Sequence, residues 1–214
     1  MVTPGDIDIK KPALIGGALA LAKECQYEAG HSHQVTDLTL KLFDQLRPLH
    51  GLGDEERLWL ECAALLHDIG WIKGREGHHK TARDIILQSS LLEFDQSVRL
   101  IVAMTARYHR RSLPRDSHRY FGEMDAAAKG IVQKLAALLR LADGLDRSHC
   151  KVVSDLRCEI LSSQVKVLLK VKGSPRAELV YGKKKADLFE KVFAKEIVIL
   201  TDKDDGSLSA PEGV

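Results

Sequence analysis

The chain has 214 residues, of which 44% are hydrophobic and 29% charged, enough to bury one full core and a small appendage. A formal net charge of +2 is too near neutrality for a DNA-binding or anionic-membrane surface, so neither a specific nucleic acid nor a membrane is expected as a partner. The longest apolar runs, such as IVQKLAALLRLADGL, are broken by Lys or Arg well short of the roughly 20 residues a membrane span needs, and the N-terminus lacks the pattern of a signal peptide, so a cytoplasmic address is expected.

Taken in chain order, IGGALALAKE offers no more than a helix start. In HSHQVTDLTLKLFDQLRP, Val35, Leu38, Leu42 and Leu46 fall at helical spacing, Phe43 widens the stripe, and Pro48 is expected to end the helix. GDEERLWLECAALLHD opens on acids suited to a helix N-terminus and turns Leu58, Cys62, Leu65 and Leu66 inward. Further helices are expected from about His79 to Gln88, from about Asp95 to His109 and from about Asp125 to Leu145. SLPRDSHRYFGEM is the longest irregular connection, of the kind that often forms a lid.

After Val153 the pattern changes. DLRCEILSSQVKVLLKVKG alternates as strands do, SPRAELVYG is expected as another short strand, KKKADLFEKVFAK as an amphipathic helix with Lys183 to Lys185 at its exposed start, and EIVIL as a closing strand. The expected fold is mainly α: a helical bundle over residues 14–153, a small α+β unit over 154–200, and a polar tail, 201–214, expected to be disordered. The apolar faces of the C-terminal unit allow a homodimer. Cys25, Cys62, Cys150 and Cys158 form no C-x-x-C pair and are expected as buried free thiols.

All nine histidines lie between positions 31 and 149. His67 and Asp68 stand together at the end of an apolar helix. His31 lies one turn before Val35 and Asp143 one turn after Leu139, so both project near the buried stripes of their helices. Imidazoles and carboxylates from separate helices are how bundles build metal sites, and a divalent cation would compensate the burial of Asp68 and Asp143. Mixed imidazole and carboxylate ligands suit Mn, Fe, Ni, Co or Zn better than Ca, and Mg is also admitted.

His31, the His67-Asp68 pair and Asp143 in LLRLADGLDRSH together resemble the H…HD…D signature of the HD-domain superfamily of metal-dependent phosphohydrolases. With HSHQVTDLTLKLFDQL, AALLHDIG, HHKTARDIIL and ARYHRR they resemble more closely the C-terminal HD domain of the exopolyphosphatase and guanosine pentaphosphate phosphatase family, over roughly residues 14–200. The resemblance implies an HD-domain helical bundle in which His31, His67, Asp68 and Asp143 hold one metal. It further implies that His79 and His109 hold a second, with Asp68 bridging; His78 competes with His79 for that place. Family members often read H-K-H-S where this chain reads His79, Lys80, Thr81 and Ala82, so one histidine of that group is absent.

In that family, polyphosphate cleavage belongs to N-terminal domains with a glycine-rich phosphate loop. This sequence contains no such loop, so only the HD chemistry carries over. The expected function is cleavage of a phosphomonoester or phosphoanhydride, of a nucleotide or a polyphosphate-like compound, by metal-activated water that Asp68 orients or deprotonates. The alternative is a non-catalytic module that binds metal and a phosphorylated ligand. Lys73 is a candidate catalytic cation close to the pair. Arg110, Arg111 and Arg147, with His149 nearby, are candidates to grip phosphate oxygens, and Arg140 is expected as the ion-pair partner of Asp143.

Overall fold

The computed structural model describes residues 4–202, with side chains from residue 11 onward. Helix α1 (Pro4–Glu24) leads to α2 (Ala29–Gln45), the four-residue α3 (Arg47–His50) and α4 (Asp54–Leu66). A 3-10 turn, Ile69–Lys73, precedes α5 (His78–Gln88), α6 (Gln96–Arg107) and α7 (Ala126–Gly144). The chain closes with β1 (Val153–Ile160), β2 (Gln164–Val171), α8 (Arg176–Lys185), α9 (Asp187–Phe193) and β3 (Glu196–Thr201). The fold is therefore mainly α with a small α+β unit, as expected. The tail beyond Asp202 lies outside the described residues.

Helix α4 runs through the bundle, packed against α1, α2, α6 and α7. Its inward face, Leu58, Cys62, Leu65 and Leu66, meets Leu38, Leu42 and Phe43 of α2 and Leu135, Leu138 and Leu139 of α7 in one buried core. The helix starts follow local chemistry. The carboxylates of Asp95 and Asp125 accept the backbone N–H of Val98 and Ala128 at the starts of α6 and α7, and Glu56 accepts the N–H of Gly53 ahead of α4. Pro48 does not stop α2, which ends at Gln45. It sits in the first turn of α3, where a missing N–H costs nothing.

His50 closes the corner after α3. Its Nε2–H donates to the Phe43 carbonyl at 2.8 Å and its Nδ1 accepts the N–H of Leu52 at 3.0 Å, a pattern open only to the neutral ring. Burial lowers its pKa. Its contribution to stability is therefore complete above the unfolded value of about 6.5 and is lost as the pH falls below that value. Urea unfolding of chelator-treated protein is expected to show a midpoint that drops between pH 7 and pH 5, with a smaller drop in His50→Gln.

Strands β1 and β2 pair antiparallel, and β3 lies parallel to β2, reached by the crossover through α8 and α9. β1 forms one edge of the sheet, and Gln45 of α2 covers part of it. Its Nε2 donates to the Leu156 carbonyl and its Oε1 accepts the Cys158 N–H.

The segment SPRAELVYG is helix α8, not a strand. Ala177, Glu178 and Leu179 are good helix formers behind Pro175, and the alternation gives way to packing on α7. The two helices meet at glycines: a Cβ on Gly144 would stand 2.8 Å from the Tyr181 carbonyl oxygen and 2.9 Å from the Cα of Gly182. Lys183 to Lys185 thus form the last turn of a helix, where cations suit the dipole, and the helix expected over 183–195 is confined to α9. The four cysteines are free thiols. Cys25 and Cys62 are buried, but Cys150, on the loop after α7, is exposed, and Cys158 is half-buried.

Candidate metal centre

The C-terminal ends of α4, α6 and α7 converge, and with them the negative ends of three helix dipoles, a setting that favours a cation. His67 and Asp68 follow the last residue of α4, His109 lies two residues past α6, and Asp143 is in the last turn of α7. His31 comes from the first turn of α2 and His78 is the first residue of α5. Ligand atoms of His31, His67 and Asp143 lie within 4.8 Å of one another, and so do those of Asp68, His78 and His109.

Asp68 stands between the two groups. Its Oδ2 is 3.9 Å from Nε2 of His31 and 3.6 Å from Nε2 of His67, while its Oδ1 is 3.1 Å from Nε2 of His78 and 3.3 Å from Nε2 of His109. Asp143 Oδ1 is 3.5 Å from Nε2 of His31.

The tautomers follow from what each Nδ1 faces. Nδ1–H of His67 donates to the Ala64 carbonyl at 2.7 Å, that of His109 to Ala106 at 2.7 Å and that of His78 to Arg75 at 2.9 Å. A carbonyl only accepts, so each of these Nδ1 atoms holds a proton; the buried, neutral His67 ring then turns a bare Nε2 lone pair toward Asp68, while Nε2 of His78 also lies 3.0 Å from Nη1 of Arg110. Among the described residues, Nε2 of His31, Nε2 of His67 and Oδ1 of Asp68 are buried without a hydrogen-bond partner. A bare His67 lone pair facing the Asp68 carboxylate in a buried space favours a cation between them.

The electrostatics agree. Burial pushes the His67 ring down to about 4, so it does not supply the missing charge as a proton. Burial alone would raise the carboxyl of Asp68, but the surrounding His67, His109 and His78 hold it well below the usual carboxylate range. Lys185 and His31 do the same for Asp143. For His31, burial works against the proton, yet hydrogen bonds to Asp143 and Asp146 raise its pKa to about 10. Two ionised carboxylates thus share one buried cluster, in which the His31 ring and the Lys185 ammonium bring positive charge to Asp143.

The family model of Ppx/GppA phosphatase, domain III, matches residues 17–178. The chain belongs to this family. The matched stretch of the Ppx/GppA domain III runs from α1 into α8 and includes every histidine and aspartate of the two groups.

Of the residues singled out in the sequence, His31, His67, Asp68, His109 and Asp143 are brought together. His79 is not: the first turn of α5 sends His78 to Asp68, and neighbouring positions on a helix point about 100° apart. The His79 ring, held down to about 3 by burial and by Arg107, lines a different cleft. The approach of α5 depends on Gly70. A Cβ there would stand 1.9 Å from the His78 carbonyl oxygen and 2.7 Å from the Ala82 nitrogen. Gly70→Ala is expected to push α5 away and weaken metal binding about 10- to 100-fold, the range for a disturbed ligand support, measured by competition with a chromophoric chelator.

A cleft of about 410 Å³ opens over Asp68, His109 and Asp143. Arg110, Arg111 and Arg147 line it, as do Arg75, Lys184 and Lys185. Trp71 stacks on His78 at 4.9 Å and Tyr181 underlies Arg147 at 4.7 Å. Lys73 is exposed on the 3-10 turn and is not among the cleft residues; Trp71 and Arg75 of the same segment take that wall. Arg140 does not pair with Asp143. It grips Asp187 of α9 through Nε and Nη2 at 2.6 and 2.9 Å and donates to the Arg111 carbonyl, so it fixes the loop that carries Arg111.

Two carboxylate partners escaped the sequence reading. Asp146, fully buried, accepts Nδ1–H of His31 at 2.8 Å and the Lys151 N–H at 3.1 Å, holding the ring in place. Its signal was the spacing of three from Asp143 across the end of α7. Lys185 rests its ammonium on the Asp143 carboxylate. Its signal was the unfavourable dipole placement of a lysine run at a helix start, which is relieved once the run ends a helix.

Proposed function

We propose that this chain is an HD-type metal-dependent phosphohydrolase, cleaving a phosphomonoester or phosphoanhydride with water. The observation that carries the reading is that Nε2 of His31, Nε2 of His67 and Oδ1 of Asp68 lie buried close together without a hydrogen-bond partner among the described residues. The residues fit two divalent ions: His31, His67, Asp143 and Oδ2 of Asp68 would hold one, and Oδ1 of Asp68, His78 and His109 the other. Such ions, when bound, lower the pKa of water toward neutrality and neutralise phosphoryl oxygens.

The chain's own groups supply the rest. Asp68, facing both groups of ligands, orients the attacking water, whose proton leaves to solvent through the open cleft. Arg110, Arg111 and Arg147 on the cleft wall hold the non-reacting phosphate oxygens. Lys185, on the cleft floor beside Asp143, offers its ammonium proton to the departing oxygen. Imidazole and carboxylate donors favour Mn, Fe, Co, Ni or Zn.

The test is a panel of phosphomonoesters, nucleotides and short polyphosphates with protein reconstituted in each of these metals. Metal-dependent release of phosphate from at least one is expected. Tight metal binding with no turnover on any would replace this reading with that of a binding module.

A further inference from the structure

Helix α8 meets the site with one face. Glu178, Tyr181 and Lys185 stand three and four residues apart, a spacing that places them on a single stripe of the helix. Tyr181 and Lys185 line the metal cleft, and Lys185 pairs with Asp143. Glu178 does neither. It is fully buried; its Oε1 accepts the Ser148 N–H at 3.0 Å, and its Oε2 has no hydrogen-bond partner among the described residues. A buried carboxyl with one oxygen on a loop N–H and the other on nothing is a poor packing element, so its use lies in what it holds.

What it holds is the backbone beside Arg147. On one side of Arg147, buried Asp146 is tied to His31 and to the Lys151 N–H; on the other, Ser148 is tied to Glu178. The loop needs both ties, because His149 and Lys151 follow in the left-handed region, at φ of 58° and 52°, which residues other than glycine disfavour. The exposed Arg147 side chain lies over the Tyr181 ring, its guanidinium carbon 4.7 Å from the ring centre, and among the described residues it pairs with no carboxylate. An arginine clamped at its backbone and laid on an aromatic face has less freedom to lose when it meets an anion. We infer that Glu178 and Tyr181 are positioning residues that set the Arg147 guanidinium for a phosphate oxygen, which makes α8 a working part of the site. What Arg147 does there rests on the phosphohydrolase reading; how it is held does not.

The experiment has two arms on the full chain. In NMR spectra of chelator-treated protein, the Arg147 side-chain protons are expected upfield of the free-arginine position, shielded by Tyr181. Tyr181→Leu and Glu178→Leu, which keeps the volume and removes the acceptor, are expected to return them, whereas Tyr181→Phe and Glu178→Gln keep them shielded. In calorimetric titration of the manganese-reconstituted chain with orthophosphate, Arg147→Met is expected to weaken binding about 10-fold or more, the worth of one charge-assisted bond. Tyr181→Leu and Glu178→Leu are each expected to weaken it about 5-fold through the added cost of ordering Arg147, with metal content unchanged, and to have no further effect in the Arg147→Met background. This result in a chain that releases phosphate from no ester defeats the hydrolase reading and still supports the positioning roles. Native Arg147 signals at the free-arginine position overturn the proposal, as do equal losses in the native and Arg147→Met backgrounds. A Glu178→Leu chain that no longer folds makes Glu178 a packing residue and overturns its role.

Discussion

Asp68→Ala is expected to reduce phosphate release by at least about 10³-fold at saturating metal, on the scale of losing a key electrostatic group at a reacting centre. The reason is geometric. Asp68 is the one carboxylate whose two oxygens face both groups of ligands, Oδ2 toward His31 and His67 and Oδ1 toward His78 and His109. Without it, His78 and His109 have no anionic companion and do not hold an ion, while His31, His67 and Asp143 keep three ligands for the other. Steady-state kinetics with metal analysis of the desalted protein check both parts: activity lost, and bound metal falling from two ions toward one. Retained activity in Asp68→Ala contradicts the proposed role outright.

Asp146 is expected to show how far the centre depends on a residue that touches no ion. Asp146→Ala leaves His31 buried beside a cavity and strips the Lys151 N–H of its acceptor, with an expected loss of about 3–5 kcal/mol in urea unfolding, the range for breaking one partner out of a buried pair. Asp146→Asn separates packing from chemistry. The amide can still accept from Lys151, but it turns N–H toward Nδ1 of His31, forcing the ring proton onto Nε2, where the proposed ion would bind. Metal affinity is expected to fall about 10- to 100-fold with the fold retained. An Asn variant that binds metal as the native chain does would show that Asp146 does not set the His31 tautomer.

The bundle was legible because its helices announce themselves through local chemistry. Asp95 and Asp125 mark starts, and stripes such as Val35, Leu38 and Leu42 mark inward faces. The convergence of His31, His67, Asp68 and Asp143 was legible too, since residues one turn from a buried stripe face the interior. Neighbouring histidines were not separable, because choosing between His78 and His79 requires knowing where α5 starts, and that is set by contact with Gly70 rather than by spacing. The C-terminal crossover misled for a similar reason. Ala-Glu-Leu-Val-Tyr alternates like a strand, yet its helix formers fold as α8, and the close approach of Gly144 and Gly182 seats that helix on α7 and carries Lys185 to the cluster. Arg140 was assigned to Asp143 by helical spacing, but Asp187, distant in sequence, offers both oxygens.

Among the described residues no helix is long and apolar enough to cross a membrane, and the centre opens to water through the cleft over Asp68. The central claim is that this carboxylate lies between two cations. Anomalous diffraction from crystals of the manganese-reconstituted chain tests it most directly. Two peaks are expected, one among His31, His67 and Asp143, the other among His78 and His109, with Asp68 touching both. Crystals soaked to saturation that show no peak within ligand distance of Asp68 would contradict it.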